Sequence, residues 1–375
     1  NPIGSKVWTD GSITNNNVSA FAEDSKGNLW IGTDGGGLNY LAGGVSNIRK
    51  DEFIKIDLRL NGERIQKIKC LEFDKEGFLW IGTWGRGLFR LHPQTHRYRH
   101  FEVESNPTSG LLANQVMMVK RDQHDNLWIG TFSGGLSYFN KSQNRFVHYP
   151  NLAAYKPSSD RYNIKSIHVD RKNRVWVAAE VRGLNLLDSS TGEFRTIENS
   201  ILKKDLTILT IHEDDHGTLW LGTNAIGLVS YNPETQTTRL YDEKDGLANN
   251  VIYAIEQDPR TGNFWLSSNK GLSEFDPGKK TARNYNRTDG LQGNQYNPES
   301  SFRSAEGNLL FGGINGMDAF MPGSIKTSST LPEIVFTSFL LNNQELNVND
   351  PQSPLKENIV LSETIDLLHH QNSFS

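Results

Sequence analysis

Apolar and polar residues alternate along most of the chain in runs of four to six, broken by Gly, Asn, Asp or Pro. Alternation of period two in short segments, rich in β-branched and aromatic residues, predicts half-buried strands joined by tight turns. One run is nearly invariant: LWIGT stands at 29–33, 79–83 and 127–131. Weaker copies read VWVAA at 175–179, LWLGT at 219–223, FWLSS at 264–268 and LLFGG at 309–313.

The anchors are Trp30, Trp80, Trp128, Trp176, Trp220 and Trp265, with Leu310 in the seventh place, spaced 50, 48, 48, 44, 45 and 45 residues apart. A period in the forties with several strands per unit is the mark of a propeller blade. Each unit reads as four strands. Strand A is an apolar run ending in an acidic residue, such as SAFAED, CLEFD or TIHEDD. A turn such as SKGN or QHDN follows, with residues that accept a left-handed backbone. Strand B carries the tryptophan, strand C begins with GL, and strand D reads RYRHF, RFVHY or TRLYD. The tryptophan is expected to fill the wedge between neighbouring blades, and the glycine after it to allow close approach.

The fold predicted is therefore all-β: a seven-bladed propeller of four-stranded antiparallel blades. The seventh unit lacks a convincing D strand, but Lys6–Val18 aligns with Thr238–Val251. Lys6–Thr9, with Trp8, is thus expected to complete that blade, latching the ring and removing an open edge. Residues 1–322 would form the propeller and 323–331 a Ser/Thr-rich linker. Residues 332–375 would be the start of a truncated, Ig-like β-sandwich, with an Asn342–Asn343 turn and further strands in 357–375. About 44 residues are too few for a sandwich of roughly 100.

Composition narrows the functions. The chain has 375 residues and a net charge of −4, with 39 basic and 43 acidic residues spread throughout and no basic block, which argues against a nucleic-acid partner. No apolar run is long enough to span a membrane. The first residues do not read as a signal peptide, so the chain is expected to begin inside a longer or processed protein. The single cysteine, Cys70, reads as a buried small hydrophobe. His92, His96 and His100 are four apart, but Pro93 and the flanking strands make a hairpin, where that spacing does not converge on a metal. No nucleophile elbow, zinc-protease or nucleotide-loop pattern occurs, and no cofactor is expected.

The pattern D-x-x-G-N-L-W-I-G-T-x-x-G-G-L-x-x-Y/F resembles the two-component regulator propeller repeat, and PEIVFTSFLLNNQEL at 332–346 resembles the opening of a Y_Y_Y domain. Together they resemble the periplasmic sensor region of Bacteroides-type hybrid two-component systems. The resemblance implies two such propellers before the sandwich. A transmembrane helix, a histidine kinase and a response regulator with a DNA-binding domain would follow, so membrane attachment would come only through that downstream helix. It implies a sensor, homodimeric in the full protein, that responds to glycan-derived oligosaccharides and controls genes for their use. Kinase, receiver and DNA-binding motifs are absent, so no phosphotransfer residue is carried over.

Comparison between blades points to the B–C and D–A loops, expected on one face of the ring. After the GT position stand Asp34, Trp84, Phe132, Glu180, Asn224, Asn269 and Ile314, with Arg86, Arg182, Lys270 and Asn315 close by; the D–A loops carry Arg64, Tyr162, Gln295 and Tyr296. Aromatic rings beside amides and arginines suit sugars, and variable loops on a rigid scaffold are the usual place for binding. The candidate ligand residues are Trp84, Arg86, Phe132, Glu180, Arg182, Asn224, Asn269, Lys270, Tyr162 and Tyr296. Two other readings stand: an interaction or dimerisation scaffold without its own ligand, and a propeller lyase or glycosidase, for which no acid/base pair is evident.

Overall fold

The computed structural model describes residues 13–324, except 49–52, 107, 150–162 and 189, and residues 337–374, except 347, 349, 351–352, 363, 370 and 372. Six four-stranded antiparallel sheets and one of three strands follow one another in chain order. The inner strands A of blades 1 to 7 are Val18–Glu23, Ile68–Phe73, Val116–Arg121, Ile164–Val169, Ile208–Glu213, Ala254–Gln257 and Tyr296–Arg303. These A strands touch consecutively and enclose a central channel, and those of blades 7 and 1 also meet. Ser300 Oγ donates to the Val18 carbonyl at 3.0 Å, and the Ala305 amide donates to Glu23 at 2.7 Å. The protein is a seven-bladed propeller; Lys6–Thr9 and Trp8, expected to complete blade 7, lie outside the described residues.

The repeated residues divide the work of packing. Trp80 is fully buried in a cluster that joins Leu88 and Phe101 of its own blade to Val119 and Phe139 of the next. Trp30, Trp128, Trp176, Trp220 and Trp265 occupy the corresponding wedges, and Leu310 packs against Val18 and Ile31 in the seventh. The acidic residue ending strand A holds both the turn and the ring. Asp74 accepts from the Phe78 amide at 2.9 Å and from Trp80 Nε1 at 2.9 Å, and Asp170 accepts from the Arg174 amide at 2.8 Å and from Trp176 Nε1 at 2.9 Å. Burial pushes the Asp74 carboxyl up, but the Trp80, Phe78 and Lys141 hydrogen bonds and the Arg90 charge outweigh it and hold its pKa below the ordinary value.

The glycine of the repeat makes room for the next blade. A Cβ on Gly130 would lie 2.5 Å from Ile164 Cγ2, on the inner strand of blade 4. Gly130→Ala is therefore expected to cost about 1–3 kcal/mol through overpacking, read as a lower denaturant midpoint.

The chain divides into two compact units, Asn1–Ile325 and Lys326–Ser375. In the second, Leu340–Leu341 pairs with Gln344–Glu345 across Asn342 and Asn343, both left-handed at φ 50 and 62, as the expected turn requires. Phe339, Leu341 and Leu355 form its small core. The strands expected in 357–375 are not formed among the described residues. A strand needs a neighbour, and here only Phe374 finds one, in an isolated bridge to Leu341.

Candidate functional site

The GT motif builds the rim of the loop face. In blade 2 the Thr83 hydroxyl donates to the Gly87 carbonyl at 2.7 Å and accepts from the Arg86 amide at 3.2 Å, clasping the B–C loop. The next residue then donates its backbone N–H to the preceding D–A segment: Asp34 to Asn17, Trp84 to Lys67, Phe132 to Gln115, Glu180 to Asn163, Asn224 to Thr207 and Ile314 to Gln295. This repeated bond places six blades' variable residues around the end of the channel, so the B–C and D–A loops do share one face.

The structure brings some candidates together. The Trp84 and Phe132 rings are tilted at 5.2 Å between centroids, and Lys69 Nζ lies 5.6 Å from the Trp84 ring. Trp84 remains 38 % exposed, and Lys69 pairs with Asp34 at 2.6 Å. Arg86 is committed to Glu63, and its carbonyl meets His100 Nε2 at 2.8 Å. Glu180 accepts from Asn163 at 2.6 Å and faces Lys165 at 3.4 Å. The Asn163 hydrogen bond, with the Lys165 charge, holds the Glu180 carboxyl below its usual pKa, the opposite of what a general acid needs. Arg182 follows Val181 in blade 4, where Ala179 replaces the clasping threonine. Asn224 and Asn269 are exposed, and Lys270 reaches Glu243 at 3.3 Å.

Tyr296 requires a correction. It is not a loop residue but the first of the blade 7 inner strand, 1 % exposed, and its hydroxyl donates to the buried Asp318. Its ring fills the wall between blades, which leaves no face for a ligand. Tyr162 lies outside the described residues.

Sequence reasoning missed the channel. Two residues before the conserved acidic position stand Ala22, Glu72, Lys120, His168, His212, Glu256 and Phe302. Five of these seven carry an ionisable group, where a strand buried on both faces would ordinarily be apolar. The same comparison between blades that selected the rim could have found them. Burial pushes the Glu256 carboxyl up to about 7, against the Ser301 hydrogen bond and the Arg303 charge. Burial, with His168 and Arg303, lowers His212 to about 4. Burial works to strip the proton from Lys120, but Glu299, Glu72 and Glu256 outweigh it and hold its pKa above the ordinary lysine value.

Fold and face together define a propeller with a variable rim around a charged channel, and comparison with known proteins gives it relatives. The model of the two component regulator propeller matches residues 12–35, 61–85 and 203–225. Over 98 % of its length the chain is similar to a solved structure described as the extracellular domain of a hybrid two component system, BT3049 of B. thetaiotaomicron, at 25 % identity and a TM-score of 0.77. A second, BT4673 of the same organism, shares the fold at 22 % identity and a TM-score of 0.63 over 96 % of this chain. Histidine kinase P4 of Formosa agariphila is 29 % identical over 82 residues, 22 % of this chain and 6 % of that protein. The chain spans 47 % of the length of each of the two solved domains. The resemblance to hybrid two-component sensor regions drawn from the repeats thus holds, while the family match does not extend into the C-terminal unit. No helix among the described residues is long and apolar enough to cross a membrane.

Proposed function

We propose that this propeller belongs to the periplasmic sensor region of a hybrid two-component signalling protein, and that its loop face binds a glycan-derived oligosaccharide. The similarity to extracellular domains of such systems supports the sensor role. The observation that carries the ligand reading is the Trp84–Phe132 pair, half-open at the rim beside Lys69 and Asp34. An aromatic face stacks on the apolar side of a sugar ring while neighbouring charges take its hydroxyls. In the full protein, binding would bias a histidine kinase that controls carbohydrate-utilisation genes, and the C-terminal unit would begin a Y_Y_Y domain.

Calorimetric titration against a panel of glycan oligosaccharides tests this reading, using this chain and a longer protein with the preceding propeller and whole sandwich. One glycan is expected to bind, with Trp84→Ala weakening it at least tenfold, about 1.4 kcal/mol. Unchanged affinity in that variant removes Trp84 from the site. The second reading, a dimerisation surface, is favoured by Val181 and Ile314, 56 % and 41 % exposed on the same rim. Val181→Asp would then shift the full sensor region from dimer to monomer in analytical ultracentrifugation.

A further inference from the structure

The inner strand of blade 7 departs from the others. Between the pairs Tyr296–Gly313 and Ser301–Phe311 the four residues 297–300 face Gly312 alone, so three extra residues bulge out. Bulges re-aim side chains. This one leans over the channel. Inner strands touch their immediate neighbours around the ring, but that of blade 7 also touches the inner strand of blade 5. On the blade 1 side, Asn297 Nδ2 donates to Asn17 Oδ1 at 2.8 Å and to the Val18 carbonyl at 2.6 Å. On the blade 6 side, the Glu299 amide donates to the Tyr253 carbonyl at 2.9 Å. The Glu299 side chain reaches further, to the charge of Lys120 in blade 3 and to hydrogen bonds from Ser166 in blade 4 and Thr210 in blade 5. Asn297, Pro298 and Glu299 line the mouth of the channel, a space of about 240 Å³, and Glu299 also lines the interior cavity of about 320 Å³. The segment therefore stands between the two.

The bonds that hold this segment differ from those that hold the ring. Residues 297–299 are outside the strand ladder, so releasing them breaks no pair with strand B, and pairing resumes at Ser301 in either case. Pro298 is exposed and has no N–H to bond. Glu299 is left-handed at φ 57, a conformation that a non-glycine residue keeps only while its surroundings impose it. Burial pushes the Glu299 carboxyl up, and Lys120, Ser166, Thr210 and His168 offset this only in part. The ring itself rests on the buried tryptophan wedges, and blade 7 is joined to blade 1 by Ser300 and Ala305, outside residues 297–299. A segment held by a few polar bonds opens locally at far less cost than the whole fold.

We infer that residues 297–299 form a crossbar over the channel, latched across the ring by the Glu299 side chain on Ser166 and Thr210, and that it opens as a unit while the seven blades stay closed. Opening withdraws Glu299 from between the two spaces, so that the interior becomes continuous with the mouth on the loop face. This goes beyond the loop-face reading and does not depend on it, because neither Trp84 nor Phe132 takes part in the latch.

The test is hydrogen–deuterium exchange of the whole chain, read at single amides by mass spectrometry and made without any ligand. The reporter is the Glu299 N–H, whose acceptor is the Tyr253 carbonyl. It should exchange at least a hundredfold faster than the paired amides in the inner strands of blades 2 to 5, through an opening that low denaturant hardly changes. Glu299→Ala removes the latch, and Thr210→Val removes one of its donors from a different blade while keeping the side-chain shape. Each should speed exchange near residue 299 at least tenfold and leave those inner strands as they are. A melting profile checks that both variants are folded. The inference is overturned if the Glu299 amide in the parent exchanges as slowly as the inner strands. It is overturned equally if both folded variants leave its rate unchanged, or if they speed exchange in all the blades alike.

Discussion

Replacing Trp80 or Trp176 by alanine is expected to destabilise the propeller by about 3–5 kcal/mol, the cost of emptying a site filled by a large aromatic residue. Both are 1 % exposed or less. Phenylalanine separates the two parts of that cost. At positions 80, 176 and 220 the indole N–H reaches an aspartate, at 2.9, 2.9 and 2.8 Å. At Trp128 and Trp265 the N–H has no partner. Trp→Phe should therefore cost about 1–3 kcal/mol more at Trp80, Trp176 and Trp220, where a buried carboxylate loses a donor. Chemical denaturation of the five variants reads the difference. Equal losses at all five would reduce the tryptophan to shape alone.

The stability of the protein should fall as pH rises from about 4 to above 7, and Asp318 should account for much of the fall. Burial lifts its carboxyl to about 7, opposed by the hydrogen bonds from Tyr296 and from the Gln292 amide. A raised acid pKa means that the folded state holds its proton more tightly than the unfolded chain. The stabilisation is then full below the ordinary value of 3.8 and is lost as pH passes about 7. For a carboxyl buried this completely, that displacement corresponds to roughly 4 kcal/mol. Asp318→Asn keeps an oxygen to accept from the Gln292 amide, presents an NH2 that the Tyr296 hydroxyl can accept from, and removes the ionisation. The variant should gain on the parent steadily between pH 5 and 8 in denaturation experiments, and a constant difference across that range would exclude Asp318 as the source. The lowered carboxyls act the other way, since Asp74 and Asp170 lose their stabilisation as pH falls below the ordinary aspartate range.

Much of the rim was legible because repeats make a chain its own comparison. The position after GT varies between Trp84, Phe132 and Glu180 while the framework around it does not, and the structure shows why: the threonine clasp and the backbone bond to the D–A segment aim it at the channel end. Tyr296 was misplaced for the same reason. Its position in the repeat is that of a D–A loop, but the three-residue bulge lengthens the inner strand to include it. Its aromatic character, read as a sugar platform, serves packing and the buried bond to Asp318.

What the sequence by itself determined is the local and periodic part. It set the strands, the turns, the number of blades and the tryptophan wedge, because each depends on residues close together or on a pattern repeated at a fixed interval. What only the tertiary structure decided is whatever the ring brings together from distant blades. Glu299 lies 179 residues from Lys120 and 227 from Glu72 in the sequence, yet ring closure sets all three around one cavity. No local pattern encodes that meeting, since it depends on how many blades close the circle and where one of them bulges.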